Sequence, residues 1–369
     1  MAGSTWGRRA ALGLMAAGCT PGRPPAQPHG PSLRAAARAR GLVFGTAAQA
    51  ALLRQDAALR ALVAAEAEVL VPEYEAKWGP VQPREGEWNL APLQELASFA
   101  AGAGQRLRGH CLVWHEGNPD WLLAALAEGP ARARRVMEDH FRALLGATAP
   151  VMREWDVVNE MIANPPGSDN PSPTPGDLRD TPWLRALGPG YVELALRTAR
   201  QADRTLRLTL NDYGMEADTP WAAEKRARLL RLVRALLDRG APLDAIGLQA
   251  HLQMREPFRP EPFIAFLREL RSLGLSVSLT ELDVREPDLL APGIAERDAL
   301  MAAYLEQVVR AAIEGGVRTV ITWGLTDRDS WLVSMPAVAR PDGAATRGHP
   351  YDAELRPKPF RDALLRAFG

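Results

Sequence analysis

Short apolar segments with strand character alternate with longer helical segments from about residue 41 almost to the end of this 369-residue chain. The strand-like segments are 42–47, 68–72, 106–114, 152–159, 207–211, 245–252, 276–284 and 319–324. The helical patterns, rich in Ala, Leu, Arg and Glu, are 48–65, 93–103, 132–145, 191–202, 221–239, 262–273, 296–314 and 360–368. This alternation predicts a (β/α)8 TIM barrel of the α/β class, formed by a single domain. The structural alternative is a doubly wound open sheet. No glycine-rich turn follows the first strand, so a nucleotide site lacks support.

The connections between these segments differ in length on the two sides of the predicted barrel. The stretches that follow strands are long, and residues 161–182 and 327–347 stand out among them. In a barrel of this kind the loops after the strands carry function, while those before them carry stability. We therefore expect one working face, at the C-terminal ends of the strands.

Polar and aromatic side chains are concentrated at those strand ends. They are Glu73, Tyr74, Lys77, His110, Trp114, His115, Asn159, Glu160, Asn211, Asp212, Tyr213, Gln249, His251, Glu281, Asp283, Trp323 and Trp331. Flat aromatic faces stack on sugar rings, and amides, imidazoles and carboxylates bind hydroxyl groups. Taken singly, each tryptophan is explained by core packing and each histidine by a structural role. Their joint placement predicts a carbohydrate site.

A metal centre is the other interpretation of the histidines on this face. His110, His115 and His251 are the candidate ligands. They lack a ligand spacing such as His-Glu-x-x-His, which places two imidazoles on one helix face. We therefore predict that these histidines do not form a metal centre.

Two glutamates at the strand ends have the character of a catalytic pair. Glu160 ends the fourth predicted strand, and Glu281 lies near the end of the seventh. Retaining glycosidases place two carboxyl groups about 5–5.5 Å apart, an acid with a raised pKa and an ionised partner. Asp283 points to the same side of its strand as Glu281, so it can orient His251, which in turn keeps Glu281 anionic. We predict Glu281 as the permanent anion and Glu160, behind Asn159, as the proton carrier. Two unrelated, ion-paired glutamates are the alternative.

At these residues the sequence resembles glycoside hydrolase family 10, the endo-1,4-β-xylanases, over nearly all of residues 41–365. The motifs that match in order are Phe44-Gly45-Thr46-Ala47, Glu73 to Trp78, Glu85-Gly86-Glu87-Trp88-Asn89, Arg108 to His115, Trp155 to Glu160, Asn211-Asp212-Tyr213, Gln249-Ala250-His251, Thr280-Glu281-Leu282-Asp283, and Thr322-Trp323-Gly324 with Asp327 to Trp331.

The resemblance implies retaining hydrolysis of xylan or xylo-oligosaccharides through a covalent glycosyl-enzyme, without a cofactor. Glu281 is the implied nucleophile and Glu160 the implied acid/base. The implied glycone-side binding residues are Glu73, Lys77, His110, Trp114, Asn159, Gln249, Trp323 and Trp331. Asn211 and His251, from the same strand ends, complete the predicted substrate-binding set together with Tyr74.

Two positions depart from the family pattern. Tyr74 stands where members usually have asparagine, one subsite from the cleaved bond; it keeps a hydroxyl donor and adds a ring. An activity on short xylo-oligosaccharides or mixed β-glucans is therefore an alternative, and a non-catalytic xylan-binding protein is another. Cys111 replaces a usual threonine in mid-strand, where a buried thiol is expected. The proline-rich loop 161–182 lies on the implied leaving-group side.

The N-terminal region has the pattern of an export signal. Arg8-Arg9 precede a weakly apolar stretch that ends at Gly18-Cys19, and residues 16–19 resemble a lipobox. We predict a twin-arginine-like signal peptide over 1–19 with Cys19 as a candidate lipidation site, an ordinary signal with a chance cysteine being the alternative. Residues 20–40 are predicted as a flexible linker and 41–369 as the catalytic domain.

The overall charge narrows the range of partners. Lys+Arg and Asp+Glu are both 44, which leaves no basic field for nucleic acid. The sequence contains no run of about 18 apolar residues, so we expect no membrane span. We expect an exported monomer, periplasmic, secreted or lipid-anchored.

Overall fold

The computed structural model describes residues 30–173, 175–286 and 293–369. Their strands are β1 (Val43–Ala48), β2 (Val69–Pro72), β3 (Arg106–Val113), β4 (Met152–Asn159), β5 (Arg207–Asp212), β6 (Ala245–Leu248), β7 (His251–Gln253), β8 (Ser276–Arg285) and β9 (Thr319–Thr322). All neighbouring pairs are parallel. Because β6 also pairs with β8 and β1 pairs with β9, eight of the strands close into the predicted barrel.

Helices surround this barrel. They are α1 (Leu33–Ala39), α2 (Ala50–Gln55), α3 (Ala57–Glu66), α4 (Trp78–Val81), α5 (Ala91–Gly102), α6 (Asp120–Ala127), α7 (Pro130–Thr148), α8 (Pro182–Leu187), α9 (Tyr191–Ala202), α10 (Pro220–Asp238), α11 (Pro260–Ser272), α12 (Ile294–Glu314), α13 (Trp331–Ser334) and α14 (Pro359–Phe368). Because helices cover the outside and side chains fill the inside, the strands are buried on both faces and their sequences read as continuous apolar runs.

The predicted sixth strand, 245–252, is divided in two. Its first part, β6, belongs to the barrel, whereas among the described strands β7 pairs only with the end of β8. Ala250, between them, has φ +60°, in the left-handed region that an extended strand cannot contain. This break sets Gln249 and His251 at the mouth of the barrel, where a continuous strand was predicted.

The predicted helix 48–65 is likewise two helices, α2 and α3. The side chain of Asp56 accepts hydrogen bonds from the backbone N–H groups of Ala58 and Leu59 at 2.8 and 2.9 Å. An aspartate in this geometry caps a new helix N-terminus, so the chain turns there.

The predicted linker over 20–40 is wrong at its C-terminal end, because 33–39 form α1. Leu33 and Ala37 are completely buried, and the backbone N–H of Leu33 donates to Glu66 Oε2 at 2.7 Å. The Arg361 guanidinium, from α14, donates to the carbonyl of Pro31 at 2.6 Å. The folded domain therefore begins before residue 41. The predicted signal peptide, with Cys19, and the linker up to residue 29 lie outside the described residues.

Two smaller predictions concern the Cys111 thiol and membrane-spanning helices. Cys111 is a buried thiol, as predicted. Within the described parts of the chain, no helix is both long enough and apolar enough to cross a membrane.

Candidate active site

Glu160 follows β4 directly and adopts an unusual backbone conformation. Its φ is +57°, and its N–H donates to the carbonyl of Asn211 at 2.8 Å. A non-glycine residue in this region costs about 1–3 kcal/mol, a strain that persists where surrounding contacts hold it. The conformation turns the Glu160 side chain out of the line of the strand, and 15% of that side chain is exposed.

A layer of three buried amides links Glu160 to Glu281. Asn211 Nδ2 donates to Glu281 Oε1 at 2.6 Å and to Asn159 Oδ1 at 2.9 Å. Gln249 Nε2 lies 3.1 Å from Asn159 Oδ1 and 3.2 Å from Glu160 Oε1. The two glutamates therefore face one site, as their strand positions predicted.

Glu281 is supported by a histidine and a second carboxylate. His251 Nε2 lies 3.2 Å from Glu281 Oε2, and His251 Nδ1 lies 2.9 Å from Asp283 Oδ2. Burial lowers the pKa of His251, but the charge and hydrogen bond of Asp283 and the hydrogen bond of Glu281 together raise that pKa to about 10. An imidazolium at neutral pH donates hydrogen bonds to both carboxylates and thereby orients them. The predicted contacts among these three residues are confirmed.

Trp331 closes this support from the outside. Its indole Nε1 donates to Asp283 Oδ2 at 2.7 Å, and its ring centroid lies 4.8 Å from that of His251. The indole N–H of Trp331 thus orients Asp283, while the predicted contact of Trp331 with a sugar stays a prediction.

His110 is held by charged residues inside the barrel that were not among the predicted site residues. His110 Nδ1 lies 3.0 Å from Asp156 Oδ2 and 3.9 Å from Glu281 Oε1. Asp156 in turn receives two hydrogen bonds from Arg108, at 2.6 and 2.5 Å. Burial raises the pKa of Asp156, but Arg108 and His110 outweigh it, so the pKa is lowered. An ionised Asp156 accepts a hydrogen bond from His110 Nδ1 and so orients the imidazole ring. Arg108 and Asp156 could have been recognised in the sequence, because they are charged residues within otherwise apolar strands.

The surroundings of Glu160 contradict one electrostatic expectation. Burial raises its pKa, but the charges of His115 and Arg179 and a hydrogen bond from Gln249 outweigh burial, so the pKa lies below the usual value. A raised pKa was predicted for the proton carrier. The difference arises because His115 Nδ1 lies 3.7 Å from Glu160 Oε2 and Arg179 reaches back from the following loop.

A second group of predicted residues surrounds the ammonium of Lys77. Its Nζ lies 5.1, 4.7 and 5.7 Å from the ring centroids of Tyr74, Trp114 and Trp323. Such distances favour cation–π attraction. Tyr74 remains 45% exposed at the mouth of the site.

Glu73 lies buried beside this group. It accepts a hydrogen bond from Gln49 Nε2 at 3.0 Å, and burial raises its pKa to about 7. A carboxyl group in this state can either donate or accept a hydrogen bond near neutral pH.

Metal ligation was the alternative for the histidines. Within the described ranges, no group of three or more His, Cys, Asp or Glu side chains could hold a metal ion. His110 and His251 instead contact carboxylates that orient their rings.

Residues 32–367 match the family model described as glycosyl hydrolase family 10. The chain belongs to this family. Among curated relatives of the family 10 chain, endo-1,4-beta-xylanase B of Paenibacillus barcinonensis is 32% identical, over 80% of this chain and 86% of that protein. Exoglucanase XynX of Acetivibrio thermocellus is 28% identical over 81% of this chain, which spans only 26% of that longer protein.

Among solved structures, xylanase 10B from Thermotoga petrophila RKU-1, in complex with xylobiose, superposes with a TM-score of 0.81. Its sequence is 26% identical, and the match covers 93% of this chain and 98% of that one. The family 10 barrel is therefore retained over almost the whole length of both chains.

Proposed function

We propose that this chain is a retaining endo-1,4-β-xylanase that hydrolyses internal β-1,4-xylosidic bonds of xylan. The observation that carries the proposal is the single hydrogen-bonded network that joins Glu160 and Glu281 and gives them different supports. Membership of family 10 and the xylanase names of the relatives support the same substrate class.

In the first step Glu281 is the nucleophile. Its carboxylate oxygen forms a bond to the anomeric carbon while the bond from that carbon to the glycosidic oxygen breaks. Glu160 gives its proton to the departing oxygen. His251 and Asn211 orient the Glu281 carboxylate, because both donate hydrogen bonds to it.

In the second step Glu160 is the base. It takes a proton from water, whose oxygen attacks the anomeric carbon as the bond to Glu281 breaks, and two inversions give overall retention. The lowered pKa of Glu160 suits this step, because the base must be ionised. The first step uses the protonated form, so bond cleavage slows as pH rises through that pKa.

The glycone side is assigned to the residues around Lys77 and to the amides beside the glutamates. The proposed sugar-binding residues are Glu73, Tyr74, Lys77, His110, Trp114, Asn159, Asn211, Gln249, His251, Trp323 and Trp331. In this proposal the aromatic rings stack on pyranose faces, and the amides and charged groups bind sugar hydroxyls.

The test is hydrolysis of xylan and xylohexaose by Glu281→Ala and Glu160→Ala, with product stereochemistry followed by NMR. We expect β-configured initial products from the wild type and losses of about 10³-fold or more in each variant. Glu314→Ala, at an exposed position on α12, is the control and should match the wild type. Near-wild-type hydrolysis by either active-site variant, or α-configured products, would refute the assignment.

A second activity, on short xylo-oligosaccharides or mixed β-glucans, is favoured by Tyr74 and by the name of the Acetivibrio relative. Rates on xylan, xylotriose and mixed-linkage β-glucan separate the two candidates. Release of reducing sugar from xylan by the purified domain would also exclude the alternative that the protein only binds xylan.

The N-terminal pattern supports export, with Cys19 as the candidate lipid attachment site, and we propose that the mature enzyme is a monomer. Mass spectrometry of the mature N-terminus distinguishes a lipidated Cys19 from an ordinary cleaved signal. Sedimentation of the purified protein tests the oligomeric state.

A further inference from the structure

We propose that Arg179 is a positioning residue for Glu160, one that holds the backbone of the acid/base in place and faces it with a permanent positive charge. This inference rests on the proposed function.

The contact between the two residues is made through the backbone. Arg179 Nε donates to the carbonyl of Glu160 at 2.9 Å, and the N–H of Arg179 donates to the carbonyl of Met161 at 2.8 Å. These bonds hold the turn just where Glu160 adopts its left-handed φ. A strained backbone conformation persists only where surrounding contacts hold it. The hydrogen bonds of Arg179 to the backbone of Glu160 and Met161 are contacts of this kind.

The guanidinium is itself anchored. Arg179 Nη2 donates to the hydroxyl of Tyr213 at 2.6 Å, and its Cζ lies 5.4 Å from the centroid of that ring. The same hydroxyl accepts a hydrogen bond from Asn164 Nδ2 at 2.7 Å. Hydrogen bonds from Arg179 and Asn164 therefore hold the Tyr213 hydroxyl in place. The fixed hydroxyl in turn holds the Arg179 guanidinium.

A buried lysine supports this anchor from beneath. Lys225 is completely buried, and its Nζ lies 3.6 Å from the centroid of the Tyr213 ring. It donates to Asn164 Oδ1 at 2.9 Å and pairs with Asp212 Oδ1 at 2.9 Å. Asp212 Oδ2 accepts from the N–H of Ile162 at 2.8 Å, so the network returns to the segment after Glu160. A buried cation requires such a charged and hydrogen-bonded setting.

The charges that face Glu160 come from two different loops. His115, after β3, places Nδ1 3.7 Å from Glu160 Oε2, and Arg179 approaches from the loop after β4. On the barrel side Gln249 is uncharged, and Glu281 lies beyond the amide layer. Both cations lower the pKa of Glu160. Arginine stays charged at every relevant pH, whereas an imidazole can lose its proton.

The first test uses the leaving group. Xylohexaose needs a proton from Glu160 to release its sugar, whereas 2,4-dinitrophenyl β-xylobioside releases an anion that needs none. For Arg179→Met we expect kcat/KM to fall about tenfold or more on xylohexaose but by less than about threefold on the dinitrophenyl substrate. Arg179→Lys should recover part of the lost kcat/KM on xylohexaose, because lysine keeps the positive charge but lacks the planar set of guanidinium donors.

The second test is the pH profile of kcat/KM on xylohexaose. Loss of the Arg179 charge raises the pKa of Glu160, so the alkaline limb of Arg179→Met should move to higher pH. In Arg179→Lys the limb should stay near its wild-type position. A merely structural loss lowers the profile without moving it.

Arg185→Met is the matched control, because Arg185 pairs with Asp180 on an exposed surface of the same region. It should leave both substrates and the profile unchanged. If Arg179→Met does not fold, Tyr213→Phe, which removes only one acceptor of Arg179, should show a smaller loss with the same substrate dependence. Equal losses on both substrates, an unmoved limb or wild-type behaviour overturns the role of Arg179. A wild type that is inactive on both substrates overturns the proposed function instead.

Discussion

Asn211 Nδ2 lies 2.6 Å from Glu281 Oε1, the shortest contact between the amide layer and the carboxylate assigned as nucleophile. The other end of this amide is also constrained, because Asn211 Oδ1 accepts from Thr280 Oγ1 at 2.6 Å. With both ends bonded, the orientation of Asn211 is determined, and Asn211 in turn aligns Glu281 with Asn159 and Glu160.

Gly247 provides a way to displace this amide without deleting it. A Cβ at Gly247 would lie 2.2 Å from Asn211 Oδ1 and 2.9 Å from Thr280 Cγ2. Gly247→Ala should therefore push Asn211 out of line and lower kcat on xylohexaose by about tenfold or more, because small misplacements at a reacting centre are costly. Steady-state kinetics and the thermal midpoint should be measured together.

Gly146→Ala is the control for that substitution. Gly146 lies within α7 and a Cβ there meets nothing within 4 Å. It should leave kcat unchanged and stabilise the protein by up to about 1 kcal/mol, since alanine is the better helix former. A folded Gly247→Ala enzyme with wild-type kcat would contradict the role given to Asn211.

The ionisation of His251 predicts a stability that depends on pH. Its pKa is raised to about 10 in the folded state, above the ordinary value of about 6.5. Its contribution is therefore fully present below pH 6.5 and is lost as pH rises towards 10, by at most about 1.4 kcal/mol per pH unit. Denaturant unfolding of wild type and His251→Gln should show a gap that narrows over this range.

His140 is the matched control for this experiment. It is buried, and burial lowers its pKa to about 3, so it is neutral throughout the same range. The gap between wild type and His140→Gln should be constant from pH 7 to about 10. A constant gap for His251→Gln as well would show that its imidazole is not held as a cation.

Tyr74 should influence the choice of substrate more than the rate of the chemical step. Its ring lies 5.1 Å from Lys77 Nζ, and it is exposed at the mouth of the site. Tyr74→Asn removes the ring and a cation–π contact worth about 0.5–1 kcal/mol. We expect a two- to fivefold rise or so in the ratio of kcat/KM on xylan to that on mixed-linkage β-glucan, mainly through KM.

Tyr74→Phe separates the ring from the hydroxyl in the same assay. A ratio that stays at the wild-type value in Tyr74→Phe assigns the preference to the ring. If the ratio is also unchanged in Tyr74→Asn, Tyr74 has no part in substrate choice.

Leu33 should be needed for stability although it precedes the predicted domain. It is completely buried, so Leu33→Ala should lower the free energy of unfolding by about 2–5 kcal/mol. Arg38→Ala, on the exposed face of α1, should change it by less than about 0.5 kcal/mol. If Leu33→Ala and the wild type unfold at the same urea concentration, the folded domain would begin at residue 41, as the sequence predicted.

The barrel could be predicted because its strands are buried on both faces, so each appears in the sequence as an apolar run between helices. The break in the sixth strand could not, because Ala250 has no side-chain feature that signals its left-handed φ. Helix α1 was missed for a related reason. Its apolar face consists of Leu33 and Ala37, which become a core only against α14 and Glu66.

Strand order and local motifs depend on neighbours along the chain, so they were enough to predict the fold class and the two glutamates that we propose as the catalytic pair. The electrostatic environment of these two glutamates, in contrast, depends on the tertiary structure. Glu160 has a lowered rather than a raised pKa because His115 and Arg179, from two other segments, bring positive charge to it. Electrostatic energy depends on distance in space, and folding alone sets that distance.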